Sequence, residues 1–504
     1  MQPDTFSILY SSEQTRHLDR KTISEFGYPG FTLMELAARG AASGISTRTG
    51  SHNTGLYLCG KGNNAGDALA VARWLNQNQN HSCHIHLLFG EESLTPDTAL
   101  NLHFLKELSN SGEAIRFTSG STSDFAMNDT YHYVVDGILG TGVNGPLREP
   151  LPRVIEQINA MKIPVFAMDV PTGLHPDSGL TASSAIRANI TFTFGTNKTG
   201  FYLNKASVYT GEIELITLPF PKHFFERERA RLLLPGSDEP KKINRDKSIH
   251  KYDKGVVHIL AGSTGMTGAA IMASMSAWKS GAGAVLLYSP KKLTPVYEAT
   301  LPQIIKVETG ETEDNCLLES HYNVIAESIR KRPGCLLAGP GLGQNPSTLR
   351  LLKRLIDEHE GPVVLDADAI SVFGSLESKY SSQNRDMILT PHPGEATSLL
   401  GGVFSNDYDR LLKAEKFSAS NNVTLISKGN PTIVTSPGSP AYITAYDTTP
   451  FTRAGFGDVL AGQTAAYLAI SSNPVQAACL ALLSGYKKFQ LHSTDSPFSP
   501  EHLI

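Results

Sequence analysis

The chain has 504 residues, 40% of them hydrophobic and 18% charged, too long for one ordinary core and suited to two or three globular domains. Its net charge of −4 excludes a general attraction to nucleic acid or an anionic membrane, and neither partner is expected. Cys59, Cys83, Cys316, Cys335 and Cys479 stand apart with no C-x-x-C pair, which argues against a disulfide frame or a zinc site and for a reducing, cytoplasmic setting.

Met1 to Tyr10 lacks the basic and apolar pattern of a leader, and no stretch approaches the roughly 20 apolar residues of a membrane span. Glu13 to Glu25 and Leu33 to about Ile45 read as helices on either side of a turn at Gly27-Tyr28-Pro29-Gly30. A beat of short apolar strand, turn and amphipathic helix follows. Strands are expected at Leu56–Cys59, His84–Phe89, Tyr133–Val135 and Val165–Met168, and helices at Ala68–Leu75 and Thr98–Leu108. Such alternation predicts a parallel sheet covered on both faces, with its ligand crevice beyond the carboxyl ends of the strands.

The polar motifs fall at those ends: Gly60-Lys61-Gly62-Asn63-Asn64-Ala65-Gly66-Asp67, then Asp136 to Gly142, then Asp169-Val170-Pro171-Thr172-Gly173. Each alone also reads as a turn, with glycines supplying positive φ and Asn63 or Asp67 a cap. Together they converge on one crevice. Glycine loops can cradle a diphosphate, the oxygens of Asn64, Asp136 and Thr172 suit an alkali or alkaline-earth cation, and Asp169 is the carboxylate best placed for acid–base work.

The order of these motifs, with Lys198 in the segment 193–200, resembles the NAD(P)H-hydrate epimerase (YjeF N-terminal) domain over residues 8–217. That family interconverts the R and S epimers of nicotinamide cofactors hydrated at C6, with a potassium ion. The resemblance implies that Asn63, Asn64, Ala65, Gly66 and Asp67, with Gly140, Thr141, Gly142, Val143, Asn144, Gly145 and Pro146, hold the hydrate. It implies Asn64, Asp136 and Thr172 as potassium ligands and Asp169 as a catalytic residue that contacts the ring. Ala65 and Ala68 stand where the family has glycine, and their methyls are expected to narrow the loop. Lys198 reads either as a catalytic or orienting cation or as a solvated lysine.

Tyr209 to Glu212 reads as the close of a hairpin. Pro219-Phe220-Pro221 and the mixed charges up to Lys247 then break the pattern. The expected division is a domain at 1–218, a linker at 219–244 and a second domain at 245–504. Alternation resumes at Val256–Leu260, with further strands at Cys335–Leu337 and Val363–Leu365. Met272 and Met275 have core spacing. Chemistry-bearing residues again follow strands: Gly339-Pro340-Gly341, Asp366 and Asp368, Leu389-Thr390-Pro391-His392-Pro393-Gly394-Glu395, and Ser427-Lys428-Gly429. Near the end, Gly455-Phe456-Gly457-Asp458 opens a helix that runs to about Ile470. Glycines before a helix let several N–H groups and the dipole converge on an anion. Asp458 then reads as a base beside bound phosphate, or as an ordinary acidic first-turn residue.

With LTPHPGE, these motifs resemble the ADP-dependent NAD(P)H-hydrate dehydratase (YjeF C-terminal) family of ribokinase-like fold, over about residues 245–490. In that family ADP phosphorylates the ring hydroxyl of the S-hydrate, and loss of phosphate restores NAD(P)H and yields AMP. The resemblance implies that Ala269, Gly341, His392 and Asp458 contact the hydrate, with Asp458 as the base. Lys428, Gly429, Asn430, Pro431, Thr432 and Gly457 would hold ADP with magnesium. Phe456 replaces a small hydroxyl residue and Arg453 a small polar one, and the large ring is expected to crowd the phosphate. The fold class implied is α/β with two domains, an N-terminal Rossmann-like three-layer sandwich and a C-terminal ribokinase-like three-layer sandwich. A small-molecule kinase, or a nucleotide-binding protein with an impaired second domain, are the alternative readings. A homo-oligomer is compatible with either.

Overall fold

Alternating apolar strands and helices fold the chain into two compact units, Met1–Ala230 and Arg231–Ile504. The computed structural model describes residues 8–120, 130–142, 145–225, 228–233, 254–312, 315–376, 386–492 and 496–504. Val143, Asn144 and much of the expected 219–244 linker lie outside the described residues. No helix among the described residues is long and apolar enough to cross a membrane.

In the first unit, β1 (Ile8–Tyr10), α1 (Ser12–Ser24) and α2 (Gly30–Thr49) precede the main sheet. The sheet is built from β2 (Thr54–Cys59), β3 (Ser82–Leu87), β4 (Ile115–Ser119), β5 (Tyr133–Gly137), β6 (Val165–Met168), β7 (Ile190–Phe194) and β9 (Glu212–Ile216), while the short β8 (Asn197–Lys198) pairs with β1. Strand order is β4-β3-β2-β5-β6-β7-β9, with every pairing parallel. The parallel pairing of β7 with β9 corrects the hairpin expected at 209–212. A one-turn helix, α6 (Ser207–Thr210), instead carries the chain back to the start of the sheet.

Helices α3 (Asn63–Gln79), α4 (Pro96–Asn110) and α5 (Leu151–Ala160) complete the layers. Small residues let α2 lie close to the sheet: a Cβ on Gly44 would stand 2.3 Å from the Phe192 ring. Ala65 and Ala68 are fully buried in the same core, so their methyls pack inward and do not narrow the loop. Phe220 is buried against Leu18 and Leu33, so the chain just past the sheet is still packed on α1 and α2.

A strand at Ala230–Leu233, β10, lies at the division. The second unit has the parallel order β13 (Ile305–Glu308), β12 (Ala284–Ser289), β11 (Val256–Leu260), β14 (Cys335–Ala338), β15 (Val363–Leu365), β16 (Met387–Leu389) and β17 (Thr424–Ser427). The antiparallel β18 (Ile433–Thr435) and β19 (Ala441–Thr444) extend it. Two apolar clusters cover its two faces. One packs α7 (Thr267–Lys279), α13 (Phe456–Ser471) and α14 (Pro474–Gln490) on the sheet, and α8 (Thr294–Thr300) contributes Tyr297 to it. The other takes α9 (Tyr322–Lys331), α10 (Pro346–Glu358), α11 (Pro393–Leu399) and α12 (Asp407–Asn421). Met272 and Met275 are half-buried against apolar clusters, and all five cysteines are buried thiols.

Candidate active sites

In the first sheet the strand order reverses between β2 and β5, and the loops that leave these two strands open a crevice there. They approach closely: Gly60 N–H donates to Gly137 O at 3.1 Å, and a Cβ on Gly60 would fall 2.0 Å from Ile138 O. A cleft of about 810 Å³ lies over them, walled by Asn63, Asn64 and Asp67 from α3, Gly140, Thr141 and Gly142 from the β5 loop, and Asp169. Thr15, Arg16 and Asp19 of α1 close its other side. Ala65 and Gly66 lie in the helix beneath, and Gly145 and Pro146 line a neighbouring depression.

Asp169 has a left-handed backbone, φ 57°. A non-glycine residue held there costs about 1–3 kcal/mol, a cost met mostly at functional turns. One of its carboxylate oxygens accepts from Lys198 Nζ at 2.5 Å and from Phe194 N–H at 3.1 Å. Lys198 is fully buried and also donates to Thr193 Oγ1 at 2.6 Å, so it is not a solvated lysine. Asp19 and Asp67 face the same pair. Burial, then the Asp169 charge, pushes the Asp19 carboxyl up to about 6, and burial with Asp169 and Asp19 raises Asp67 well above the carboxylate range.

Beneath the cleft floor, Asp136 and Thr172 are fully buried. Thr172 donates to Asp136 through its amide at 2.8 Å and its hydroxyl at 2.7 Å. Burial outweighs these bonds and pushes the Asp136 carboxyl up to about 6. Asn64 Nδ2 donates to Leu139 O at 2.8 Å, while its buried Oδ1 has no hydrogen-bond partner. An orphaned acceptor beside a buried carboxylate, a hydroxyl and a carbonyl is a donor set that a hard cation completes.

In the second unit a cavity of about 420 Å³ sits at the ends of β15 to β17, against the N-terminus of α13. Gly455 at φ 94° turns the chain into that helix. The first N–H groups of a helix have no intrahelical partner and are free to meet an anion. Lys428 Nζ lies 2.9 Å from Asp366 Oδ1, and a Cβ on Gly457 would stand 3.5 Å from that ammonium. Burial, then the Asp366 charge, pushes Asp458 up to about 6. Gly429, Asn430, Thr432, Gly457 and His392 also wall the cavity, whereas Pro431 does not. His392 caps α11, accepting from Gly394 N–H at 2.9 Å, with its side chain largely exposed.

Ala269 and Gly341 do not line this cavity. They stand together where the order reverses between β11 and β14, a Cβ on Gly341 meeting that of Ala269 at 3.1 Å. Asp368 accepts from Gly343 N–H and Gln344 and so positions the neighbouring loop. Phe456 and Arg453 also line the cavity, and the Phe456 ring, 3% exposed, is packed on Phe451 and Phe498. Two side chains that line or shape these sites escaped the motif reading. Asp19 is one, on a helix with no motif. Arg410 is the other: buried on α12, it donates to the carbonyls of Lys428 at 3.1 Å and Pro431 at 2.6 Å and so shapes their loop.

Two α/β units, each opening a polar site at the carboxyl ends of parallel strands, have the layout of an enzyme with two small-molecule sites. Residues 30–200 match the YjeF-related protein N-terminus family and residues 257–486 the NAD(P)H-hydrate dehydratase family. The bifunctional NAD(P)H-hydrate repair enzyme of Salinibacter ruber is 32% identical over 93% of this chain and 89% of its own length. That of Methanothermobacter thermautotrophicus is 31% identical over 90% and 86%. The ADP/ATP-dependent NAD(P)H-hydrate dehydratase of Bacillus subtilis, crystallised with ATP and magnesium, is 23% identical at a TM-score of 0.45, covering 54% of this chain and 94% of that one. The chain belongs to the bifunctional NAD(P)H-hydrate repair enzyme family.

Proposed function

We propose that the first unit epimerises R- and S-NAD(P)HX and that the second dehydrates the S epimer with ADP, releasing AMP and phosphate. The observation that carries the second half is Asp458 in the first turn of α13, beside the Lys428–Asp366 pair. Phosphoryl transfer needs an oriented hydroxyl and donors facing developing charge more than covalent chemistry. Asp458 takes the proton of the ring hydroxyl, while Lys428 and the amides of the first turn of α13 face the transferred group. Lys428, Gly429, Asn430 and Thr432 hold the nucleotide, Arg410 fixing their loop, and His392 contacts the substrate from the opposite wall. Asp458 and Glu395 are the carboxylates on these walls besides the lysine-paired Asp366, so a magnesium ion would arrive largely on the nucleotide's phosphates.

In the first unit Asn63, Asn64 and Asp67 with the Gly140–Gly142 loop bind the hydrate, and Asp169 acts at its ring. Asn64, Asp136 and Thr172 would hold potassium, supported by the orphaned Asn64 oxygen. When bound, the ion supplies positive charge that fixes the two loops and steadies Asp136 as a carboxylate.

The test mixes the purified chain with separate R and S hydrates, with and without ADP, following the near-ultraviolet absorbance of reduced nicotinamide and the release of AMP. Recovery from both epimers only with ADP supports both halves. A stable phosphorylated product made from ATP would point to a kinase, and ADP binding without turnover to a nucleotide-binding protein.

A further inference from the structure

We propose that Asp19 is a second catalytic carboxyl of the first cleft, the acid that protonates the C6 hydroxyl of the hydrated ring while Asp169 works at the opposite face. The inference rests on the epimerase reading of that unit and adds a residue outside its motifs.

Of the four carboxyls that line the cleft, three act on one another there: Asp19 from α1, Asp67 from α3 and Asp169 from the turn after β6. One cation, the buried Lys198, meets them, and it is spent on Asp169 at 2.5 Å. Asp19 has neither a hydrogen bond nor an ion pair among the described residues and feels Asp169 and Lys198 through space alone. A buried carboxyl beside a like charge, with no ion pair of its own, keeps its proton more readily than it would in water. Such a group, across the cleft from a carboxylate tied to a lysine, completes an acid–base couple. Asp67 is more deeply buried, 9% exposed, and is held more firmly in its protonated form. Asp19 is half-buried at the wall and titrates nearer to neutrality, as an exchanging acid requires. Along the same cleft Arg16, Lys61 and Asp97 are the other charged side chains that face the space it opens on.

The chemistry at C6 needs such a couple. The C6–O bond breaks as the N1 lone pair forms the N1–C6 double bond, and the oxygen leaves as water with the Asp19 proton. A second water then adds to C6 from the other face. The π pair returns to N1, and the proton of the added water passes to Asp169. One epimer has become the other, one proton has moved from Asp19 to Asp169, and the reverse reaction runs with the roles exchanged.

The experiment incubates the full chain with the R hydrate of NADPH, without ADP, in heavy-oxygen water. Epimer ratio is read by chromatography and isotope content by mass spectrometry. Wild-type protein should yield S hydrate that carries solvent oxygen, at a rate that falls as pH rises through about 6. Asp19→Asn should lose about a hundredfold in rate together with that pH dependence, while hydrate binding stays intact. Asp19→Glu should recover part of the rate. Retained binding of the R hydrate by Asp19→Asn shows that the first unit, which carries the substitution, is folded. Wild-type protein that leaves the R hydrate unchanged overturns the epimerase reading and this inference with it. A wild type that epimerises beside an Asp19→Asn variant within about threefold of it, or a product without solvent oxygen, overturns the inference alone.

Discussion

The rings of Phe456 and Phe498 stack at 5.4 Å and 25°, tying the first turn of α13 to the C-terminal segment. Phe451 meets Phe456 edge-on at 5.6 Å, and Arg453 Nη1 donates to Phe498 O at 3.3 Å. The two residues that break the family's pattern therefore work as anchors for one wall of the second unit's cavity. Removing the ring in Phe456→Ser leaves a void and a buried hydroxyl, at an expected cost of about 3–5 kcal/mol. Phe456→Leu should cost less. Urea denaturation checks both, and ADP affinity should fall with stability. A serine variant with unchanged stability and faster dehydration would show instead that the ring crowds the phosphate.

Asp458→Asn should abolish dehydration, by about a hundredfold to ten-thousandfold, and leave epimerisation intact. In the wild type the carboxyl must be deprotonated to act as a base, so dehydration should rise with pH through about 6 and then level off. Linkage has the opposite sign. A carboxyl raised from its ordinary value of 3.8 to about 6 stabilises the fold below pH 4, and that contribution is lost as pH rises through 6. The asparagine variant, which cannot ionise, should therefore melt above wild type at pH 8 and near it at pH 4. Thermal melts at the two pH values decide.

Strand–helix periodicity made both parallel sheets legible, and the loops after β2, β5, β6 and β17 carried most site residues in recognisable order. What stayed hidden depended on where side chains point. Phe456 reads as an intruder in a glycine turn because sequence does not show Phe498 returning to receive it. Lys198 is ambiguous until Asp169 and Thr193 are seen around it. Asp19 and Arg410 sit on amphipathic helices, where one charged residue looks like any other. The hairpin expected at 209–212 failed because a turn signal does not reveal that the next strand pairs in parallel with β7.

The orphaned Asn64 Oδ1 makes potassium linkage measurable without a turnover assay. Exchanging tetramethylammonium for potassium should raise the melting temperature of the wild type. An excess of about tenfold over Kd corresponds to roughly 1.4 kcal/mol. Asn64→Ala removes both the acceptor and the bond to Leu139 O, so the potassium response should disappear and epimerisation should fall. A variant that keeps the full thermal response would remove Asn64 from the cation site.

The Lys198–Asp169 pair separates structural from chemical roles in the same cleft. Lys198→Met leaves the carboxylate with Thr193 and Phe194 N–H as donors, facing Asp19 and Asp67 without its cation. Breaking one side of a buried pair costs about 3–5 kcal/mol, and the partial exposure of Asp169 places this case at the lower end. Adding Asp169→Asn removes the stranded charge, so the double variant should regain much of that stability. Epimerisation should not return, because the double variant lacks the Asp169 carboxylate to which the proposed reaction passes the proton of the added water. A denaturant double-mutant cycle measures the coupling, and epimer analysis on the same four proteins reads the chemistry. Stability and activity recovering together would make Asp169 a structural partner of Lys198 and leave the base to be found elsewhere.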